Sequence, residues 1–187
     1  MLGKMLASGS LPSALLFTGP EGAGKELAAM RLAALLECGN GSACGECPAC
    51  SLVSTLEHPD VHPVYAVPQT DRDKNIPVIL ESRREDFLAR GEFGGRARSI
   101  GIAQIRQVIE KVSKQPFSGP RSVVTVMEAE SATIEAQNAF LKVLEEPPAS
   151  AVMILVTARP DLLLPTVASR CSEVRFDPLP DLSLIHI

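Results

Sequence analysis

Residues 19–26 read Gly19-Pro20-Glu21-Gly22-Ala23-Gly24-Lys25-Glu26, and they are the strongest indication of the fold class. It follows an apolar run at residues 14–18 and precedes an Ala/Leu-rich segment at 26–36, the order of a strand, a phosphate loop and a helix. In such a loop the glycines let backbone N–H groups converge on phosphate oxygens, and the helix N-terminus adds positive potential. The sequence therefore predicts a P-loop-type α/β domain. Its candidate nucleotide-binding residues are Gly19, Gly22, Gly24 and Lys25, with Lys25 reaching the β- and γ-phosphates.

The residue after the P-loop lysine is unusual. Working P-loop enzymes place Ser or Thr there, whose hydroxyl binds Mg²⁺, but this chain has Glu26. A carboxylate is longer and charged, so it repels the phosphates unless a metal screens it. Two interpretations stay open: an altered nucleotide site, and a glycine-rich turn that never binds nucleotide.

A second metal-handling position is altered at the end of the apolar strand predicted at residues 122–127. P-loop enzymes need an acidic residue there, but Met127 stands in its place, and Mg²⁺ prefers oxygen ligands to a thioether. The following Glu128 can act as a base, or it and Glu130 are solvated acids. Two altered positions together favour a site that has lost hydrolysis, and they leave binding of ATP and Mg²⁺ open.

Four cysteines form a compact cluster with the spacing C-x5-C-x2-C-x2-C: Cys38, Cys44, Cys47 and Cys50. Four thiolates suit tetrahedral zinc, and such a site is closed and structural. An iron–sulfur cluster and free buried thiols are the alternatives. Nearby, His58 and His62 are either a metal-binding pair or part of a polar loop that enters a strand.

Apolar and helical segments alternate along the rest of the chain. Strands are predicted at 14–18, 76–80, 122–127, 151–157 and 173–176; helices at 26–36, 81–90, 102 to about 115 and 134–146; and a short helical turn at 162–169. This alternation predicts a parallel sheet covered by helices on both faces, in three layers. We assign residues 1–178 to one domain, with the cysteine segment 38–50 as an insertion.

Composition limits the function classes. The net charge is −4 and only 4% of residues are aromatic, which excludes a basic nucleic-acid coat protein and argues against base-stacking platforms. The chain has no apolar run of the roughly 18 residues that a membrane span needs. Clustered cysteines are typical of metal binding in a reducing compartment, so a cytoplasmic protein is expected.

Two longer motifs carry a resemblance to a known family. Residues 138–148 (NAFLKVLEEPP) resemble the signature N-A-L-L-K-x-L-E-E-P-P, and residues 164–171 (LPTVASRC) resemble L-P-x-T-x-x-S-R-C. With the phosphate loop, the cysteine knot and His58-Pro59-Asp60, they span roughly residues 14–176. The chain resembles bacterial DNA polymerase III clamp-loader subunits of the AAA+ class.

The resemblance implies a function, since two subunit types share these motifs. The gamma/tau type hydrolyses ATP, whereas the delta-prime type often has a degraded site and offers its S-R-C arginine to a neighbour. Glu26, Met127 and the H-P-D motif favour delta-prime. Arg170 would then be an arginine finger in trans, in a subunit that helps to load the sliding clamp onto primed DNA without hydrolysing ATP itself. Alternatives are an ATP-hydrolysing gamma/tau type, in which Glu26 and Glu128 hold Mg²⁺ together, and a zinc-stabilised interaction module.

Further expectations follow from the same resemblance. The partners would be gamma/tau and delta subunits, with the sliding clamp and primer-template DNA reached through the complex, in the bacterial cytoplasm. Thr157 falls at the sensor position, or else it caps or packs. Arg170 is alternatively an ion-pair partner of a nearby acid. Three charged residues would face neighbours or DNA, or else solvent: Lys142, Glu145 and Glu146.

The family continues into a helical lid and a collar; residues 179–187 do not resemble the lid and are expected to be a truncated or non-native tail.

Overall fold

The computed structural model describes residues 11–178, so the expected tail at 179–187 lies outside the described residues. The strands are β1 (Ala14–Thr18), β2 (Val61–Val64), β3 (Ser122–Val126), β4 (Ala151–Thr157) and β5 (Ser172–Arg175). The helices are α1 (Lys25–Glu37), α2 (Pro48–Ser54), α3 (Arg72–Glu85), α4 (Ile102–Val112), α5 (Ile134–Glu145) and α6 (Pro165–Ala168). One-turn 3-10 helices span Ala129–Ser131 and Pro160–Leu162.

All five strands form one parallel sheet in the order β2-β3-β4-β1-β5. The carboxyl ends of parallel strands meet at one edge of a sheet, where doubly wound folds bind ligands. The phosphate loop after β1 and the acids after β3 therefore share that edge.

Alternate residues of the central strands pack into two separate hydrophobic cores, one on each face of the sheet. On β1, Leu15 and Phe17 pack with α1, α2 and α3, whereas Ala14 and Leu16 pack with α4 and α5. Because both faces are covered, the strands are apolar without alternation, and every residue of β4 is buried. The predicted three-layer α/β fold is confirmed.

The strand predicted at residues 76–80 is wrong, because this segment lies inside α3, which also contains Pro77. Ile79 is buried and Val78 is exposed, and Ile76 and Leu80 pack against the same core as Ile79. This spacing belongs to one face of a helix, so packing overrides the local preference of the Ile-Pro-Val-Ile-Leu run. The short helix predicted at 81–90 is the end of α3, which stops at Glu85.

The helix α2 was not anticipated from the sequence, although its start carries a local signal. Pro48 occupies the first helical turn, and the Cys47 sulfur accepts a hydrogen bond from the Cys50 N–H as an N-cap. None of the helices between residues 11 and 178 is both long and apolar enough to cross a lipid bilayer.

Candidate functional site

The phosphate loop is shaped by its glycines. Gly22 and Gly24 have positive φ angles of 77° and 80°, and Gly24 caps the start of α1 without a side chain. Gly19 passes so close to the end of β5 that a Cβ there would lie 2.2 Å from the Phe176 carbonyl oxygen. The loop therefore leaves the first N–H groups of α1 without side-chain capping, as a phosphate-binding turn requires.

Lys25 is buried and folds back onto the loop. Its Nζ donates to the carbonyl oxygens of Gly19 and Pro20, at 2.8 and 2.6 Å. Burial lowers the pKa of this amine, and the carboxylates of Glu130 and Glu26 oppose that shift. A phosphate bound to this loop would have to replace the two carbonyl contacts of the lysine.

The carboxylate of Glu26 is held by an arginine of α3. Its Oε2 lies 2.5 Å from Nη1 of Arg83, whose side chain is only 3% exposed. The same nitrogen donates to the Phe87 carbonyl, and the guanidinium lies 4.7 Å from the centre of the Tyr65 ring. At the position of the usual metal-binding hydroxyl, the chain therefore has an ion-paired carboxylate.

The end of β3 offers no oxygen at the usual metal position either, since Met127 is fully buried. Glu128 adopts a left-handed backbone, with φ 51°, and its carboxylate lies 3.5 Å from both Arg90 and Arg98. Neighbouring Glu130 accepts a hydrogen bond from the Ala158 N–H at 3.1 Å. Both acids that follow the strand thus have partners within the chain.

Thr157 ends β4 and is 1% exposed. Its Oγ1 accepts a hydrogen bond from the Arg159 N–H at 3.0 Å, which closes the turn after the strand. This contact gives the side chain a structural role. Its sensor role stays a prediction.

The four cysteine sulfurs converge on one point. All of them lie within 4.8 Å of one another; Cys38 Sγ is 3.7 Å from Cys44 Sγ and 3.9 Å from Cys47 Sγ. Backbone N–H groups of Cys44 and Ser42 lower the pKa of the Cys38 thiol to about 5, which favours the thiolate that metals bind. The four residues can hold one metal ion.

Beside this knot lies a second buried group of ligand-type side chains, formed by Glu37, His58 and Asp60. Asp60 accepts hydrogen bonds from the backbone N–H groups of Phe117, Ser118 and Gly119, and from the Ser118 hydroxyl. His62, the other histidine of the predicted pair, is outside any such group within residues 11–178. The H-P-D motif therefore anchors the turn before β3.

Arg170 follows α6 and remains partly accessible, with 35% of its side chain exposed. Its Nη2 lies 2.6 Å from the Glu145 carboxylate, and its Nη1 donates to the Thr166 carbonyl at 2.8 Å. Within the chain the arginine is thus an ion-pair partner, one of its two predicted roles. The exposed residues Lys142 and Glu146 lie beside Glu145 on the end of α5.

Sequence reasoning missed three arginines that contact the acids of the phosphate-loop region: Arg83, Arg90 and Arg98. Residues 83–98 contain five arginines, which was a usable signal. It pointed to no acid in particular, because the pairs join segments that are far apart in the chain, such as Glu26 and Arg83.

The chain is similar to subunits of DNA polymerase III. The family model described as "DNA polymerase III, delta subunit" matches residues 1–180. The DNA polymerase III subunit delta' of Pseudomonas aeruginosa is 34% identical over 163 residues, which cover 86% of this chain and 42% of that protein. The Bacillus subtilis subunit delta' is 32% identical, covering 90% of this chain and 43% of that protein.

Gamma/tau proteins are also similar to this chain. The Mycobacterium tuberculosis subunit gamma/tau is 28% identical over 96% of this chain and 27% of its own length. The crystal structure of a gamma subunit-related protein from Thermotoga maritima superposes with a TM-score of 0.61 at 23% identity, covering 97% of this chain and 47% of that one, which shows the fold. The chain spans less than half the length of these relatives.

The expected three-layer α/β fold is confirmed by the parallel sheet and by the superposition on the Thermotoga maritima structure, which covers 97% of this chain. The family match and the delta' relatives decide between the two subunit types that the sequence motifs left in competition. This chain belongs to the delta-prime family of DNA polymerase III clamp-loader subunits.

Proposed function

We propose that this protein is a clamp-loader subunit that does not hydrolyse ATP and that supplies Arg170 to the ATP site of a neighbouring gamma/tau subunit. Its partners would be gamma/tau and delta subunits, with the sliding clamp and primer-template DNA engaged through the complex. The proposal extends to the whole protein what the family membership supports for this part of it.

One observation carries the loss of hydrolysis: neither position that normally binds Mg²⁺ offers a free oxygen. Glu26 is paired with buried Arg83, and Met127 is a fully buried thioether. A P-loop site works mainly by positioning phosphates and neutralising their charge with the metal, so losing both ligands removes the main source of catalysis.

The case for Arg170 in trans rests on its accessibility. Its only ion-pair partner in residues 11–178 is Glu145, whose side chain is 49% exposed, and exposed ion pairs are typically worth about 0–1 kcal/mol. Exchanging this carboxylate for a phosphate of an adjacent subunit therefore costs little. A guanidinium there would stabilise charge on the transferring phosphoryl group.

For the cysteine knot we propose zinc. Four sulfurs placed about 2.3 Å from a central ion in a tetrahedron lie about 3.8 Å from one another. The sulfur–sulfur distances of 3.7 and 3.9 Å around Cys38 match this value. A cluster of several irons and bridging sulfides needs a wider cage, so the geometry favours a single structural ion.

The test uses a clamp loader reconstituted from the full-length protein and its partner subunits. We expect Arg170→Ala to lower the DNA-stimulated ATPase rate at least tenfold at the site it serves, because arginine fingers contribute factors of about 1,000 or more. Lys25→Ala should leave the rate unchanged. The matched control is Arg159→Ala, because Arg159 is also exposed and paired with an acid, Asp161.

The two halves of the proposal fail separately. An unchanged ATPase rate in the Arg170→Ala loader rules out the arginine finger. Turnover of Mg·ATP by the isolated protein, abolished by Lys25→Ala, shows instead an ATP-hydrolysing subunit of the gamma/tau type.

A further inference from the structure

The segment 83–98, which we call the arginine strap, begins with a buried anchor. Arg83, on the last turn of α3, pairs with Glu26 at the start of α1. Stacking on the Tyr65 ring and a hydrogen bond to the Phe87 carbonyl hold the guanidinium in place. This end of the strap is fixed to the helix that follows the phosphate loop.

The outer part of the strap reaches two more acids at the same edge of the sheet. Arg90 lies 3.2 Å from the carboxylate of Glu21 in the phosphate loop and 3.5 Å from that of Glu128 after β3. Arg98 also lies 3.5 Å from Glu128, and it donates to the Arg90 carbonyl at 3.0 Å. Arg90 therefore bridges the two sides between which a nucleotide and its metal would sit.

The strap folds back through a turn that its own residues stabilise. Gly91 has a positive φ of 71°, and a Cβ there would lie 2.8 Å from the ring of Phe93. Phe93 is only 6% exposed and belongs to the same core as Ile79 of α3. Burying this ring keeps the strap against the domain even though its charged side chains reach the surface.

In a metal-dependent site, a divalent cation offsets the acids and the phosphate charge; in this chain guanidinium groups offset the acids. We propose that the arginine strap is an intramolecular substitute for that cation and closes the phosphate loop against nucleotide. The inference deepens the proposed function by naming what controls the altered site. It rests on that function only in taking the site as non-hydrolysing, and it is independent of Arg170.

The two ends of the strap differ in strength. The Arg83–Glu26 pair is largely buried, whereas the side chains of Arg90 and Glu21 are 56% and 75% exposed. Exposed pairs are weak and are screened by salt. The ion pairs of Arg90 therefore add little to closure and weaken further as ionic strength rises, whereas the Arg98–Glu128 pair, with side chains 22% and 21% exposed, and the buried Phe93 ring add more. The outer part opens more readily than the anchor.

The test is the double variant Arg90→Gln/Arg98→Gln of the full-length protein. We expect amide hydrogen exchange across residues 86–98 to become about tenfold faster, the effect of losing the exposed Arg90 pairs and the partly buried Arg98–Glu128 pair. Chymotrypsin should also cleave faster after Phe93. The matched control is Arg72→Gln/Arg84→Gln, which removes two arginines of α3; Arg84 lies in the strap beside its anchor, but both arginines pair with acids outside the phosphate-loop region.

A second measurement tests whether the strap blocks nucleotide binding at the phosphate loop. Titration with a fluorescent ATP analogue and Mg²⁺ should show at least about fivefold tighter binding to the strap variant than to the wild type or the control. The two substitutions remove positive charge, so electrostatics alone would weaken nucleotide binding. Tighter binding therefore reports an opened site.

Two results would overturn the inference. One is unchanged exchange across residues 86–98 in the strap variant. The other is faster exchange with equal or weaker nucleotide binding, which would mean that the arginines do not block the loop. Neither result depends on the loader ATPase with Arg170→Ala, so failure here is distinguishable from failure of the proposed function.

Discussion

At the residue scale, the two neighbouring buried acids Asp60 and Glu37 differ in their hydrogen bonding and in the direction of their pKa shifts. The Asp60 carboxylate accepts four hydrogen bonds from the turn at residues 117–119; burial alone would raise its pKa, but these bonds lower it. The oxygens of Glu37 accept no hydrogen bond of normal geometry within residues 11–178, and the N–H and charge of Arg121 support them only weakly. Burial, reinforced by the Asp60 charge, raises the pKa of Glu37 to about 7. One acid is therefore kept ionised and the other is largely protonated below neutral pH.

Glu37→Gln should make the protein more stable at high pH. The folded-state pKa of Glu37 lies above its ordinary value of 4.5, so the folded state binds more protons. Its contribution is fully present below about pH 4.5 and is lost as pH rises through about 7. The variant should gain about 2 kcal/mol of unfolding free energy relative to wild type between pH 5 and 8, measured by urea denaturation.

The control for this experiment is the exposed Glu146→Gln, for which the difference from wild type should not change with pH. Comparing each variant with wild type at the same pH removes the effect of metal binding, which all three proteins share. A stability difference that is equal at pH 5 and pH 8 would contradict a protonated Glu37.

At the element scale, the cysteine knot joins two helices. Cys38 is the C-cap of α1, Cys47 is the N-cap of α2, and Cys50 lies within α2. The loop between them turns through Gly41 and Gly45, both with positive φ. Because α2 has only seven residues, it is too short to be stable alone, and its position depends on the sulfurs.

Removing the metal should therefore loosen α2 before the sheet. We expect Cys44→Ser, or a chelator, to speed hydrogen exchange in residues 38–54 and to lower the melting temperature by about 6–12 °C, for a loss of about 3 kcal/mol. Metal analysis should give one zinc per wild-type chain. Cys171→Ser is the control, since Cys171 is far along the chain and belongs to the opposite core; a metal content unchanged by Cys44→Ser would contradict the proposed site.

The elements also show what the sequence can and cannot predict. Strands β1, β3 and β4 are recognisable because continuous apolar runs buried on both faces carry a strong local signal. The local pattern of residues 76–80 favours a strand, because Pro77 and the adjacent apolar residues mask the helical face of α3. The glycines and cysteines of the candidate site can be recognised from their spacing in the sequence. The contacts of Arg90 cannot be predicted in this way, since no local sequence rule pairs it with Glu128.

At the scale of the whole molecule, the sheet separates two cores of similar extent. Helices α1, α2 and α3 cover one face, and α4, α5 and α6 cover the other. The phosphate loop and the strap lie beside the first core, whereas Arg170 follows α6 beside the second. The candidate nucleotide site and the proposed arginine finger are thus supported by different sets of side chains.

Ile154→Ala, on the middle strand of the sheet, should destabilise the whole domain. Ile154 is fully buried in the first core, and such truncations cost about 2–5 kcal/mol. The same substitution at Ile134, which is 63% exposed, is the matched control and should cost less than about 1 kcal/mol. Urea denaturation measures both, and similar losses would mean that the two-face packing is misassigned.

The place of β1 in the sheet has a consequence for synthesis on the ribosome. This strand is made first among the five, yet it lies between β4 and β5, which are made last. Thr18 at its end bonds Glu173, 155 residues later in the chain. At a synthesis rate of about 5–20 residues per second, this apolar strand stays unpaired for at least several seconds until β4 and β5 have been made. During that time chaperones can bind it.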